Sequence, residues 1–73
     1  MRAFYSTYKH LRLFVFGVPE GWLAALFDFE KRQWIEKGGI HGTLKEAKAD
    51  VIERAAAVVG KELPEMEWHW QQG

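Results

Sequence analysis

The side chains that could bind a metal or act as a catalytic base are few and scattered along the chain. Three histidines, His10, His41 and His69, lie on three different predicted elements. A zinc site would require them to converge with a fourth ligand from Asp or Glu. The chain has no cysteine, which removes thiolate ligands and a cysteine nucleophile. We therefore expect no metal site and no cofactor, with the histidines at the surface or rim of the fold.

The hydroxyl and carboxyl groups also give little support for catalysis. Ser6 falls in a segment that we expect to be mobile, and Thr43 is better explained as a helix cap. No spacing isolates two carboxylates in an apolar setting, where one pKa would rise for acid–base work. Acidic residues near predicted turns and strand ends are interpreted as solubilising charges: Glu20, Asp28, Glu30 and Glu36. The sequence predicts no catalytic residues and a protein that is not an enzyme.

A run of glycines precedes the predicted helix and admits two interpretations. Gly38, Gly39 and Gly42 could present backbone amides to a phosphate at the helix N-terminus. No lysine follows at Walker spacing, and no nucleotide-binding fingerprint accompanies the preceding strand. The favoured interpretation is a flexible connection over residues 38–42 that leads into the helix.

Charge is balanced overall but is uneven along the chain. The 73 residues carry no net charge, yet residues 1–19 hold three basic residues and no acid, while the remainder has a net charge of −3. Aromatic and basic residues alternate near the N-terminus, as in proteins that bind single-stranded nucleic acids. Possible nucleic-acid contacts are Arg2, Tyr5, Tyr8, Lys9 and Arg12. Weak single-strand binding is therefore the alternative function.

Length and hydropathy restrict the class of protein. Seventy-three residues form a single domain, 1–73. The N-terminus lacks the apolar core of a secretory signal, and no apolar run approaches the roughly 20 residues that span a bilayer. We expect a cytoplasmic protein that makes no membrane contact.

One segment, residues 43–60, has a clear amphipathic helical pattern. Thr43 and Glu46 form a capping-box pair at its start, and Gly60 suits the left-handed residue after its last turn. Asp50 and Arg54 are spaced for an ion pair within the helix. The apolar stripe includes Leu44, Val51, Ile52 and Val58, which we expect to pack on strand residues including Leu13, Val15 and Phe27.

The flanking segments alternate as strands. Three strands are predicted before the helix, at residues 9–18, 22–29 and 32–37, and one after it at 65–70. In the last strand we expect Met66, Trp68 and Trp70 to face the core. We expect residues 1–8 to form either a flexible arm or an added edge strand, and residues 71–73 to form a frayed tail.

These elements predict a two-layer α+β domain of order β-β-β-α-β. An antiparallel meander sheet carries one helix on one face, which leaves the other face uncovered. If Leu11, Leu13, Val15 and Ile35 meet the helix, bulky side chains remain for the uncovered face. The predicted interaction surface consists of Phe14, Phe16, Trp22, Leu26 and Trp34.

Short motifs at the strand starts and the helix entry resemble the HicB-like antitoxin family. Gly21 and Trp22 open a strand, and the helix begins with the segment Gly-Thr-Leu-Lys-Glu-Ala, residues 42–47. The resemblance covers roughly residues 9–70 and implies a β-β-β-α-β core. It also implies a small protein partner such as a toxin.

The combined expectation is a non-catalytic protein–protein interaction module that resembles a stand-alone HicB-like domain. A surplus of large apolar groups over what one helix can cover favours a homodimer.

Overall fold

The computed structural model describes the backbone of residues 2–72 and every side chain within it except those of Glu36, Lys37 and Gln72. The described part of the chain forms five strands and one helix. In chain order these are β1 Arg2–Tyr8, β2 Leu11–Val18, β3 Gly21–Asp28, β4 Gln33–His41, α1 Leu44–Val59 and β5 His69–Gln72.

All five strands belong to one antiparallel sheet, in the order β4-β3-β2-β1-β5. The first four strands form a meander, and the chain then crosses one face as α1 and returns as β5 beside β1. The predicted antiparallel α+β arrangement is thus confirmed. The predicted order β-β-β-α-β contains four strands, whereas the described part of the chain forms five. Residues 2–8 are neither an arm nor an edge strand, because β1 pairs with β2 on one side and β5 on the other.

The turn between β2 and β3 decides which residues share a face of the sheet. Pro19 and Glu20 are its only two loop residues, so Val18 pairs with Gly21. Gly21 has φ +148°, and a Cβ there would collide with the backbone oxygen of His41, so this position requires glycine. From this register, Leu13 lies opposite Leu26. Odd-numbered residues of β2 therefore share a face with even-numbered residues of β3.

The core lies between that face of the sheet and α1, which packs over β2, β3 and β4. Its members are buried residues from the sheet, the helix and the segment after the helix: Leu11, Leu13, Val15, Ala24, Leu26, Ala47, Val51, Ala55 and Leu63. Two predicted core residues lie elsewhere. Val58 is 44% exposed, and Phe27 points to the opposite face because its neighbour Leu26 occupies the core.

Both ends of the helix have the predicted cap residues, Thr43 and Gly60, and the Glu46 carboxylate accepts from the Thr43 hydroxyl in place of the amide bond of a capping box. The Thr43 hydroxyl accepts a hydrogen bond from the amide of Glu46 at 3.2 Å and donates one to the Glu46 carboxylate at 2.8 Å. Gly60 takes a left-handed conformation, with φ +77°, and its amide donates to the carbonyl of Ala56 at 2.9 Å.

Strand β4 is longer than predicted. It continues through Gly38 and Gly39 to His41, and two irregularities in its pairing with β3 accommodate extra residues. A Cβ on Gly38 would lie 2.8 Å from the Arg54 Nε and 3.0 Å from the Asp50 Oδ2, so glycine allows the strand to pass close to the helix. The predicted flexible connection over residues 38–42 is wrong, and these glycines do not form a phosphate loop.

The segment after the helix covers β1 on the core side of the sheet. Met66 and Trp68 pack against the core as predicted, although regular strand begins only at His69. Ser6 is buried, and its hydroxyl donates to the carbonyl of Glu67 at 2.7 Å, so its expected place in a mobile arm is wrong. Trp70 contacts Phe4 yet stays 48% exposed. Gln71 and Gln72 pair with β1 rather than fraying, and Gly73 lies outside the described residues.

Candidate functional site

The sheet face opposite the helix carries a continuous group of aromatic side chains, which we call the aromatic face. Strand alternation places Tyr5, Phe14, Phe16 and Phe27 on this side, because their neighbours along the strands are buried on the helix side: Ser6, Leu13, Val15 and Leu26. Phe27 pairs with Trp34 on β4, and Phe29 follows the end of β3. The aromatic face is therefore Tyr5, Phe14, Phe16, Phe27, Phe29 and Trp34.

Ring contacts join the aromatic face across three strands. The rings of Phe14 and Phe16 stack, with centroids 5.1 Å apart and planes 12° apart. Trp34 lies 5.5 Å from Phe14 and meets Phe27 edge to face at 5.0 Å. Ala25 lies opposite Phe14 and is almost fully buried without any helix above it, so these rings already cover it. Trp34 and Phe29 nevertheless remain 42% and 41% exposed.

Arg12 is the cation held within the aromatic face. Its guanidinium carbon lies 4.4 Å from the ring centroid of Phe29, 4.9 Å from that of Tyr5 and 6.0 Å from that of Phe14. Its Nε atom is buried and has no hydrogen-bond partner among the described residues. Cation–π attraction compensates part of the lost hydration. A donor that is withdrawn from water and left unpaired still has an energetic cost.

The structure divides the predicted interaction surface. Phe14, Phe16 and Trp34 lie on the aromatic face. Leu26 is fully buried in the core, and Trp22 packs against the core, so their assignment to the uncovered face is wrong. The predicted surface combined even-numbered residues of both strands. The two-residue turn at Pro19 and Glu20 instead puts even-numbered residues of β2 on the same face as odd-numbered residues of β3.

Sequence reasoning did not assign Tyr5, Phe27 and Phe29 to this surface. In the predicted strand at residues 22–29, alternation puts Phe27 and Phe29 on the same face. Counting the residues of the turn would have placed that group beside Phe14 and Phe16, since a two-residue hairpin loop fixes the register.

The five predicted nucleic-acid contacts do not form one patch. Tyr5 and Arg12 are on the aromatic face, whereas Tyr8 packs against the core. The guanidinium carbon of Arg2 lies 5.3 Å from the ring centroid of Trp22. Lys9 lies in the β1–β2 turn, at φ +54°. The alternation along β1 and the position of the turn thus direct these side chains to different parts of the surface.

A polar cluster of Asp50, His41 and Arg54 connects β4 to the helix. The Asp50 carboxylate accepts hydrogen bonds from His41 Nε2 at 2.7 Å and from Arg54 Nε at 2.8 Å. Partial burial acts to raise the pKa of Asp50, but the hydrogen bonds and charges of His41 and Arg54 outweigh it and hold that pKa below its ordinary value. The predicted helical pair of Asp50 and Arg54 is present, extended by a residue from the adjacent strand.

Asp28 also serves the fold, and its interpretation as a solubilising charge is wrong. It is buried, and its Oδ1 accepts hydrogen bonds from the amides of Glu30 at 2.8 Å and Lys31 at 3.1 Å. These bonds organise the turn between β3 and β4, which has no glycine or asparagine. Among the side chains that the structure describes, no three His, Asp or Glu are grouped so that they could hold a metal ion.

In the described part of the chain, the helix is too short and too polar to cross a membrane.

Comparison with known proteins gives no further guide to this surface. No protein-family model, no curated protein and no solved structure matches this chain.

Proposed function

We propose that this protein is a non-catalytic interaction module that forms a homodimer by pairing the aromatic faces of two copies. The observation that carries the proposal is the continuous ring cluster on an uncovered sheet face, with Trp34 and Phe29 about two-fifths exposed. Exposed apolar patches of this kind on small proteins mark contact surfaces. Aromatic residues and arginine are the types that protein interfaces enrich.

The size of the face suits a dimer of modest affinity. Strands of 7, 8, 8, 9 and 4 residues, with about 3.3 Å per residue and about 4.8 Å between strands, give a face of roughly 600 Å² per copy. Two copies would bury about 1,200 Å², which is at the lower end of specific interfaces. Because buried area does not by itself set affinity, we expect a dissociation constant in the micromolar range.

The charges favour a protein partner over a nucleic acid. Arg12 is the cation in contact with the rings, and the basic residues Arg2 and Lys9 lie away from the face. Nucleic-acid affinity depends on neutralising several phosphates, whereas among the described side chains Arg12 alone is a cation in contact with these rings. Single-strand binding remains the alternative, and fluorescence anisotropy with a labelled oligonucleotide at low salt would detect it.

The resemblance to HicB-like antitoxins implies a small toxin as another partner for such a module. A second copy is the simpler occupant of the aromatic face, because it is always present and supplies an equally apolar surface. Closing this face in a two-fold pair also leaves no continuing surface for further association.

Sedimentation equilibrium tests the proposal. The wild-type chain should approach twice its mass of 8.5 kDa at high micromolar concentration. Phe16→Glu should give a monomer, because it places a carboxylate among the stacked rings. Val58→Glu is the matched control, since Val58 is an exposed apolar residue on the opposite layer, and it should leave the dimer unchanged. A wild-type mass of 8.5 kDa at all concentrations up to a few hundred micromolar would contradict the proposal.

A further inference from the structure

The charges around the aromatic face suggest how the two copies are oriented. Resting on the dimer proposed above, we infer that the two-fold axis runs across the strands near Phe16. This orientation brings Arg12 of each copy to Glu20 of the other.

Arg12 is the group that calls for an anionic partner. Its guanidinium lies against three rings, and its buried Nε has no acceptor among the described residues. A dimer would remove more water from this group. An unpaired charge in an interface is costly, whereas a carboxylate that reaches it forms a strong, charge-assisted hydrogen bond.

Two carboxylates are placed at the ends of this face. Glu20 lies in the β2–β3 turn and Glu30 in the β3–β4 turn, and both are exposed. Asp28 and Asp50 are already engaged by the turn amides and by His41 and Arg54. The other described acidic residues lie on the helix or on the segment that follows it, in the opposite layer: Glu46, Glu53, Glu62, Glu65 and Glu67.

The distribution of charge selects Glu20 over Glu30. Two sheets that meet face to face can be related by an axis along the strands, which superposes like ends, or across them, which superposes opposite ends. The end that contains Arg12 also contains Lys9, Lys31 and Arg32. Superposing like ends would bring these cations close to the same cations of the other copy, and this like-charge contact is unfavourable.

An axis across the strands brings each Arg12 toward the β2–β3 turn of the other copy. Arg12 lies four residues before Phe16 in β2, and Glu20 lies in the turn just beyond Val18, so an axis beside Phe16 places each Arg12 near the turn that contains Glu20. Phe16 of one copy then meets Phe16 of the other, and the stacked Phe14 rings lie on either side. The usual angle of about 30° between packed sheets leaves both ends within reach of a long arginine side chain.

A charge-swap series measured by sedimentation tests this orientation. Arg12→Glu and Glu20→Arg should each weaken the dimer by about tenfold or more, because each places like charges together. The double variant, which carries both substitutions, should return to within about threefold of the wild-type dissociation constant. The matched control is Arg12→Glu with Glu30→Arg, which should not recover.

The outcomes separate this inference from the dimer itself. A double variant no tighter than the single variants would overturn the Arg12–Glu20 pair, while a wild-type dimer that Phe16→Glu disrupts would still support the proposed function. Recovery by the Glu30 swap would instead assign the axis along the strands. A monomeric wild-type protein would overturn both.

A second comparison covers the case in which Arg12→Glu does not fold, as judged by circular dichroism. Glu20→Arg and Glu30→Arg both change exposed turn residues. Only Glu20→Arg should weaken the dimer, by about fivefold or more, and equal effects would contradict the pairing.

Discussion

His41, Asp50 and Arg54 illustrate how single polar residues act in this protein. They resemble a reactive cluster in their composition, but their hydrogen bonds connect the edge strand β4 to the helix. Gly38 lets the strand approach the helix closely enough for these hydrogen bonds to form. Asp28 has a comparable structural role in a turn. The acidic side chains with the best-defined partners therefore stabilise local geometry.

The lowered pKa of Asp50 predicts an acid-sensitive contribution to stability. A folded-state pKa below the unfolded value of about 4 means that the carboxylate stabilises the fold above that pH, and that this stabilisation is lost as pH falls through the folded-state pKa. Asp50→Asn should lower the free energy of unfolding by about 1 kcal/mol at pH 7. Urea denaturation from pH 7 to pH 3 should show the gap between the two proteins narrowing below about pH 4.

The matched control for this measurement is Glu53→Gln, which neutralises an exposed carboxylate on the same helix. A wild-type advantage over Asp50→Asn of the same size at pH 3 and pH 7 would contradict the predicted role of Asp50.

At the scale of elements, α1 combines local and tertiary stabilisation. Thr43 and Gly60 satisfy backbone groups at its ends, and these contacts follow from the neighbouring residues alone. The helix is held in place by three small apolar residues that are fully buried against the sheet, Ala47, Val51 and Ala55. Small side chains at these positions allow a close approach of helix and sheet.

Two valines on the same helix give a matched test of this arrangement. Val51→Ala should lower the free energy of unfolding by about 2–3 kcal/mol, because it leaves a cavity at a fully buried site. Val58→Ala removes the same atoms from an exposed site and should change it by less than about 0.5 kcal/mol. Urea denaturation of both variants gives the comparison, and equal losses would show that the buried side of the helix has been misassigned.

At the scale of the whole molecule, the described residues build two layers and leave the second face of the sheet uncovered. The helix and the segment after it both lie on one side, so the rings on the other side pack on one another, on Ala25 and on Arg12. A domain this small buries roughly 60% of the surface of its unfolded chain, which leaves a narrow stability margin. Dimer formation through the aromatic face would add to that margin.

The proposed dimer therefore predicts a melting temperature that depends on protein concentration. Association of the folded state stabilises it by mass action, so a tenfold increase in concentration above the dissociation constant should raise the melting temperature by a few degrees. Phe16→Glu should melt at one temperature throughout the same range. Differential scanning calorimetry from about 10 to 500 micromolar measures both, and a constant wild-type value would argue against coupled dimerisation.

The sequence by itself determined the features that depend on near neighbours. Thr43 and Gly60 define the ends of the helix, and the alternation within the predicted strands 9–18 and 22–29 matches the side-chain alternation of β2 and β3. The α+β class follows from these elements. Phe14, Phe16 and Trp34 were also placed correctly on the uncovered face.

Tertiary structure decided the remaining features, because they depend on how strands pair and not on the propensity within one strand. The register at the β2–β3 turn put Leu26 in the core and Phe27 on the aromatic face, and a shift of one residue would have exchanged them. The N-terminal segment became an interior strand only when β5, more than 60 residues away in sequence, supplied its second partner. Local propensity carries no information about such a partner, so neither the position of β1 nor the site around Arg12 could be read from the residues alone.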